Sequence, residues 1–133
     1  SKVNSGSPLF GICLGLQLLF TRSEEFGSGN GLDLIPGIIK KFPDHIKDRK
    51  IKVPHITWNQ VYKLNNSWKE TALKELKDFE FMYFIHSYYV KPHNNSGILT
   101  NTNYDIVIKI NSSTIPSISV GIIHAHRVRT QIC

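Results

Sequence analysis

The sequence predicts an α/β domain, a twisted mixed sheet flanked by helices. Three observations predict it. A short apolar run, Pro8-Leu9-Phe10-Gly11-Ile12, reads as the end of a buried strand and passes through Cys13 straight into a helix-like pattern. The stretch from Phe81 to Val90 is aromatic and β-branched, the strongest strand signal in the chain. The length, 133 residues, suffices for one domain and is too short for two.

The remaining elements follow from periodicity and punctuation. Leu14, Leu18 and Leu19, with Gln17 and Thr21-Arg22 between and beyond them, predict a helix that ends near Phe26-Gly27. Ser28-Gly29-Asn30-Gly31 is a loop by composition. Leu32 to Phe42, with Pro36-Gly37 in its middle, predicts two short strands around a turn. Ile51 to Ile56 and Gln60 to Lys63 are strand candidates. Ser67-Trp68-Lys69-Glu70 is a capping box, so a helix is expected from Ser67, with Leu73, Leu76 and Phe79 on one apolar face. Ile98 to Thr102, Ile106 to Ile110 and Ile118 to Ile123 predict further strands, and Asn111-Ser112-Ser113-Thr114 a turn.

Composition narrows the function. Hydrophobic residues make up 41%, which argues against a disordered chain. Mean hydropathy is −0.17 and there is no apolar run of about 18 residues, so no transmembrane helix and no membrane partner are expected. The net charge is +6 and the pI near 9.4, which raises a polyanion as a partner. The densest basic stretch, Lys40 to Lys52, is broken by Asp44 and Asp48 and has Phe42 as its one aromatic residue. It lacks the stacking platforms of a nucleic-acid groove and reads as a solvated loop, so no nucleic-acid partner is expected. Two cysteines, one of them the last residue, make no disulfide framework, and a reducing, cytoplasmic setting is expected. Ser1 to Pro8 holds neither a starting Met nor a signal-peptide core, so the chain is expected to begin inside a longer protein.

The chemistry is concentrated in Gly11-Ile12-Cys13-Leu14-Gly15-Leu16-Gln17. A strand ends at Cys13, a helix begins after it, and glycines stand two residues to either side. That is the layout of a nucleophile elbow, with cysteine in place of serine. The turn holds the nucleophile in a strained conformation that only small neighbours permit. A thiol at a helix start meets the dipole and free amides that favour thiolate, and those amides serve as an oxyanion hole. The bland alternative is a buried structural cysteine between packing glycines.

Gly-Ile-Cys-Leu-Gly-Leu-Gln-Leu-Leu-Phe at 11–20 resembles the nucleophile motif of the class I (triad) glutamine amidotransferases. Ser23-Glu24-Glu25, Gly31-Leu32-Asp33-Leu34-Ile35-Pro36-Gly37, Lys52-Val53-Pro54-His55-Ile56-Thr57-Trp58-Asn59 and Tyr83-Phe84-Ile85-His86-Ser87-Tyr88-Tyr89 narrow the likeness to the glutaminase subunits of imidazole glycerol phosphate synthase. The resemblance runs from about Ser5 to Tyr104. It implies a flavodoxin-like class I fold, truncated in this chain: residues 1–133 would be a partial domain whose N-terminal strands and C-terminal helix are missing. A parallel sheet without its first strands exposes edges and apolar faces, so poor solubility of the isolated chain is expected.

The resemblance also implies an activity. Cys13 attacks the glutamine side-chain amide, forms a thioester and releases ammonia. Gln17 helps hold the glutamine, Gly15 lines its pocket with backbone, and Ser87 and Tyr88 meet its α-groups. The ammonia passes to a (βα)8-barrel synthase subunit in histidine biosynthesis; no cofactor is implied. The alternatives are a paralogous amidotransferase that aminates a sugar for surface polysaccharide, or a degenerate non-catalytic fragment that keeps only partner binding.

Two departures from the family pattern stand out. Thr57 replaces the usual Gly, which changes the expected loop shape. The usual Phe-His-Pro-Glu motif is missing, and the nearest stretch is His124-Ala125-His126-Arg127-Val128-Arg129. Aligned there, His126 is the candidate base and Val128 stands at the place of the orienting Glu, where it accepts no hydrogen bond from imidazole. Two readings of this tail stand, a genuine variant or a frame shift after about Asn111. His86 reads as a structural histidine at a strand end in preference to the base, His55 as structural or at the partner interface, and Trp58 as core or interface. His124, His126 and Cys133 provide three metal-ligand types without a fourth, so no metal site is expected.

Overall fold

The computed structural model describes residues 9–63, 68, 73–94, 98–104, 106–111, 118–120 and 125–126. The chain order is β1 (Leu9–Gly11), α1 (Leu14–Leu19), β2 (Phe20–Ser23), β3 (Gly29–Asn30), β4 (Ile35–Lys41), β5 (His45–Ile46), β6 (Arg49–Lys50), β7 (His55–Lys63), β8 (Glu80–His86), β9 (Tyr88–Pro92), β10 (Ile98–Tyr104), β11 (Ile106–Asn111), β12 (Ile118–Val120) and β13 (Ala125–His126). The strands form a five-stranded sheet, β11-β10-β7-β8-β13, a four-stranded sheet, β3-β2-β4-β9, and the pairs β1-β12 and β5-β6. Pairing is mixed: β1 with β12 and β2 with β4 are parallel, the others antiparallel. The predicted mixed sheet is therefore present, and α1 is the one helix among the described residues.

The helix predicted from Leu14 to Phe26 stops at Leu19. Phe20 is fully buried, and its amide closes the helix on the Gln17 carbonyl. The chain then leaves in extended form to pair with β3 and β4, and burial of Phe20 outweighs the weak propensity for another helical turn. The two strands predicted around Pro36-Gly37 are one strand, β4. Phe20 faces Ile35 but Arg22 faces Ile38, so the pairing absorbs one extra residue at Pro36-Gly37 as a bulge. Gly37 has φ +156, and a Cβ there would stand 2.8 Å from Pro92 Cα, so neighbouring β9 requires glycine.

Similarly, one strand replaces the two predicted between Ile51 and Lys63, because Ile51 to Pro54 leads into β7 without joining it. The expected helix start at Ser67 lies outside the described residues. Its predicted later turns are not helical: Leu73 to Glu75 form a turn and Phe79 is exposed. The Asp78 carboxylate explains the end of this segment. It accepts the Lys63 amide at 2.9 Å and the Phe79 amide at 3.2 Å, which seats β8 beside β7. The basic stretch forms the short β5-β6 hairpin, whose lysines and arginine are exposed. The turn predicted at 111–114 falls outside the described residues beyond Asn111.

Two apolar clusters hold these layers. Leu16, Leu19 and Phe20 pack with Ile35, Ile39 and Val90, joining α1 to the four-stranded sheet, and Leu34 and Tyr88 pack against them. Val61, Trp68, Met82 and Phe84 form the second cluster under β7 and β8, with Leu73 and Leu76 against it. The opposite face of β7 and β8 is apolar and open. Its cross-strand pairs Ile56–Ile85 and Trp58–Tyr83 lie beside Phe81, and Trp58 and Tyr83 have ring centroids 5.3 Å apart. Truncating Phe84, fully buried and stacked on an imidazole, is expected to cost about 3–5 kcal/mol. Urea denaturation of the full chain carrying Phe84→Ala measures this loss.

Candidate functional site

The turn between β1 and α1 places Cys13. Its backbone stands at φ 52, ψ −119, a region that side chains other than glycine's rarely occupy. Such strain persists only where the surroundings enforce it, and they do. The Gly15 amide bonds the Ile12 carbonyl at 2.9 Å, and the Gln17 amide bonds the Cys13 carbonyl at 3.1 Å. Gly11 lies so close beneath that a Cβ on it would stand 2.9 Å from the carbonyl carbon and oxygen of Gly15. The thiol is free and half-buried.

The two flanking glycines thus differ. Gly11 is required by contact, as an elbow demands. A Cβ on Gly15 would meet nothing within 4 Å, so Gly15 faces open space. Its amide is already engaged by Ile12, so Leu14 supplies the first amide after the nucleophile. Gln17 is buried beside Leu16 and Leu19, and its side-chain Oε1 is buried without a hydrogen-bond partner. That is unusual, since a buried carbonyl oxygen costs free energy until something donates to it.

Ser87 and Tyr88 lie at the break between β8 and β9. The strand predicted from Phe81 to Val90 changes sheets there: β8 belongs to the five-stranded sheet and β9 to the four-stranded one. The Phe42 amide holds the Ser87 carbonyl at 2.9 Å. The Tyr88 side chain packs against the apolar cluster to which Leu16 and Leu19 of α1 also belong. Cys13, Gly15 and Gln17 thus lie on or beside α1, whose Leu16 and Leu19 share one apolar cluster with Tyr88. The His126 backbone pairs with Tyr83 beside β8, in a different sheet from β1. The His126 side chain, His124, Val128 and Cys133 lie outside what is described. Thr57 is within β7, paired opposite Phe84, so it extends a strand.

The break at Ser87 is organised by two histidines that the sequence presented separately. His55 and His86 stand directly opposite one another on β7 and β8. His55 Nδ1 and His86 Nε2 are 2.8 Å apart, and both side chains are buried. His86 Nδ1 lies 2.8 Å from the Tyr88 carbonyl, which only accepts, so that nitrogen carries the proton and donates. His86 Nε2 then accepts from His55 Nδ1. At the far end Asn59 Nδ2 donates to His55 Nε2 at 3.1 Å and to the Asn103 carbonyl at 2.8 Å. Every proton in the chain Asn59–His55–His86–Tyr88 points the same way. Phe42, Phe84 and Tyr104 enclose the pair, with Tyr104 stacked on His55 at 3.7 Å.

This arrangement has room for neutral imidazoles only. Burial, with the neighbouring His86 adding to it, lowers His55 from 6.5 to about 4. Burial also lowers His86, against the opposing pull of the Tyr88 carbonyl. The unfolded chain takes up these protons near 6.5, while the folded chain resists them. Stability contributed by the pair is complete above that value and is lost as the pH falls toward 4.

Residues 1–125 match the family described as Glutamine amidotransferase class-I. Over 104 residues the chain is 44% identical to the imidazole glycerol phosphate synthase subunit HisH of Syntrophotalea carbinolica, covering 77% of this chain and 49% of that protein. It is 40% identical over 106 residues to the HisH subunit of Geobacter metallireducens, covering 78% and 49%. For the HisH subunit of Aquifex aeolicus the figures are 42% over 102 residues, 77% and 45%. The chain spans about half the length of the curated relatives it matches.

Two outcomes are expected. Unfolding free energy falls between pH 6.5 and 5, by up to about 1.4 kcal/mol per pH unit from His55, with His86 acting in the same direction; a stability that is flat over this window contradicts the buried neutral pair. Long-range proton–nitrogen correlation spectra show both rings protonated at Nδ1, whereas a protonated Nε2 on either ring breaks the derived direction of the chain.

Proposed function

We infer the function from one premise: the chain belongs to the class-I glutamine amidotransferase family. The protein is the glutaminase of an imidazole glycerol phosphate synthase, and residues 1–133 are part of its amidotransferase domain. The observation that carries this reading is Cys13 itself, held at φ 52 between β1 and α1 with Gly11 closed against the Gly15 backbone. A nucleophile elbow has this form. The names of the relatives support the choice of synthase.

Cys13 Sγ attacks the side-chain amide carbon of glutamine, and the Leu14 amide meets the oxyanion that develops. Collapse of the tetrahedral intermediate breaks the C–N bond. The base, His126, first takes the thiol proton and then gives it to the leaving ammonia. Water cleaves the thioester to release glutamate. The unpartnered Oε1 of Gln17, the open side of Gly15 and the Ser87–Tyr88 break bind the glutamine. Val128 leaves the base without an orienting acid, so turnover is slow. Loss of that acid costs on the order of ten-thousandfold in a serine triad, and less where the nucleophile is a thiol.

The ammonia is handed to a (βα)8-barrel synthase subunit that forms a heterodimer with this one in the cytoplasm and completes the lyase half of the reaction. The free Cys13 suits a reducing compartment. Among the described residues, no helix is long and apolar enough to cross a membrane.

In the full chain, Cys13→Ser is expected to lower glutamate release by at least about a thousandfold. The glutamine analogue 6-diazo-5-oxo-norleucine is expected to alkylate Cys13 with loss of dinitrogen, and free glutamine to slow the alkylation. Undiminished glutamate release by Cys13→Ser overturns the reading.

A further inference from the structure

Tyr88 is held at both ends. Its carbonyl accepts the His86 Nδ1 proton at 2.8 Å, and its side chain packs against the apolar cluster that includes Leu16 and Leu19 of α1. The neighbouring Ser87 carbonyl is fixed independently by the Phe42 amide, and Phe42 in turn lies against both imidazoles, with ring centroids 6.4 Å from His55 and 5.1 Å from His86. The path of the chain at the β8–β9 break is therefore set from one side by a histidine pair and from the other by the core beneath the elbow.

A shape-complementary apolar core would hold two sheets together at lower desolvation cost than two buried imidazoles do. What the imidazoles add is direction. A hydrogen bond fixes a carbonyl's orientation in a way that apolar packing does not, and the Asn59–His55–His86 chain permits one orientation only. We propose that His86, oriented by His55 and Asn59, is a positioning residue that sets the Ser87–Tyr88 backbone for binding the α-amino and α-carboxylate groups of glutamine. This deepens, and rests on, the glutaminase reading. His86 contacts neither the substrate nor the thiol; it acts through the Tyr88 carbonyl.

The test separates positioning from mere support, and it uses the full chain. Glutamine affinity is measured by calorimetry in a Cys13→Ser background, where no turnover intervenes. His86→Leu is expected to weaken glutamine binding at least tenfold. His86→Asn places an amide N–H where Nδ1 stood and is expected to recover most of the affinity, although it still lacks an acceptor for His55. In chains retaining Cys13, the same two variants are expected to shift the KM for glutamine far more than kcat. Thermal melts of each variant show whether it is folded, and His86→Asn keeps the test decisive should the leucine variant not fold.

Full affinity in a folded His86→Leu chain overturns the proposal alone. So does failure of His86→Asn to bind better than His86→Leu when both are folded, or equal changes in KM and kcat. Absence of glutamine binding in the Cys13→Ser background, with the protein folded, overturns the glutaminase reading and the proposal with it.

Discussion

Two imidazoles buried 2.8 Å apart tolerate one distribution of protons, and the junction between the two larger sheets is built around that restriction. A second proton on His86 would face the His55 Nδ1 proton, and one on His55 would face the Asn59 amide donor. The stacked aromatics exclude the water that would otherwise relieve the conflict. The pair lies where β8 leaves the five-stranded sheet and its continuation, β9, enters the four-stranded one. A run with uniform strand character is thus divided by a hydrogen bond spanning two residues, from His86 to the Tyr88 carbonyl. On either side of that bond, β8 pairs with β7 through His55–His86 and β9 pairs with β4 through Lys41–Tyr88.

From this junction the architecture reads outward to the elbow. Val90 and Tyr88 on β9 share one apolar cluster with Leu16 and Leu19 on α1, which links the helix to the sheet that β9 enters. Cys13 gains its conformation from local bonds at the Ile12 and Cys13 carbonyls and from the tight approach of Gly11. Local enforcement gives the thiol a defined geometry, and the junction fixes the course of the chain through Ser87 and Tyr88. Gln17, with an oxygen that the fold leaves unpaired, lies on the same helix between the two.

The backbone form of the candidate elbow is legible in the sequence because elbows are local. The strand, the glycine spacing and the helix start can all be read within seven residues, and the structure places β1, Cys13 and α1 accordingly. Elements decided by distant partners were not. The helix from Leu14 was predicted too long because the Leu-rich pattern carries no sign that Phe20 will be claimed by β4. Pro36-Gly37 looked like a turn, since a bulge and a turn share their residues and differ only in what lies alongside. The histidine pair was missed for the same reason: His55 and His86 are 31 residues apart, and only the pairing register sets them face to face. That two strands each bring a histidine to an aromatic segment, with Asn59 four residues after His55, was the available hint.

The backbone angle at Cys13 bears on how such a chain would change over generations. A residue at φ 52, ψ −119 carries a conformational cost of about 1–3 kcal/mol that glycine would not incur. Freed from chemical duty, a lineage would gain stability by drifting to glycine at this position, one of the few places where losing a side chain tightens the fold. A purely structural role would be met at lower conformational cost by glycine. A strained cysteine at the start of a helix is thus easier to reconcile with the proposed nucleophile than with a packing role.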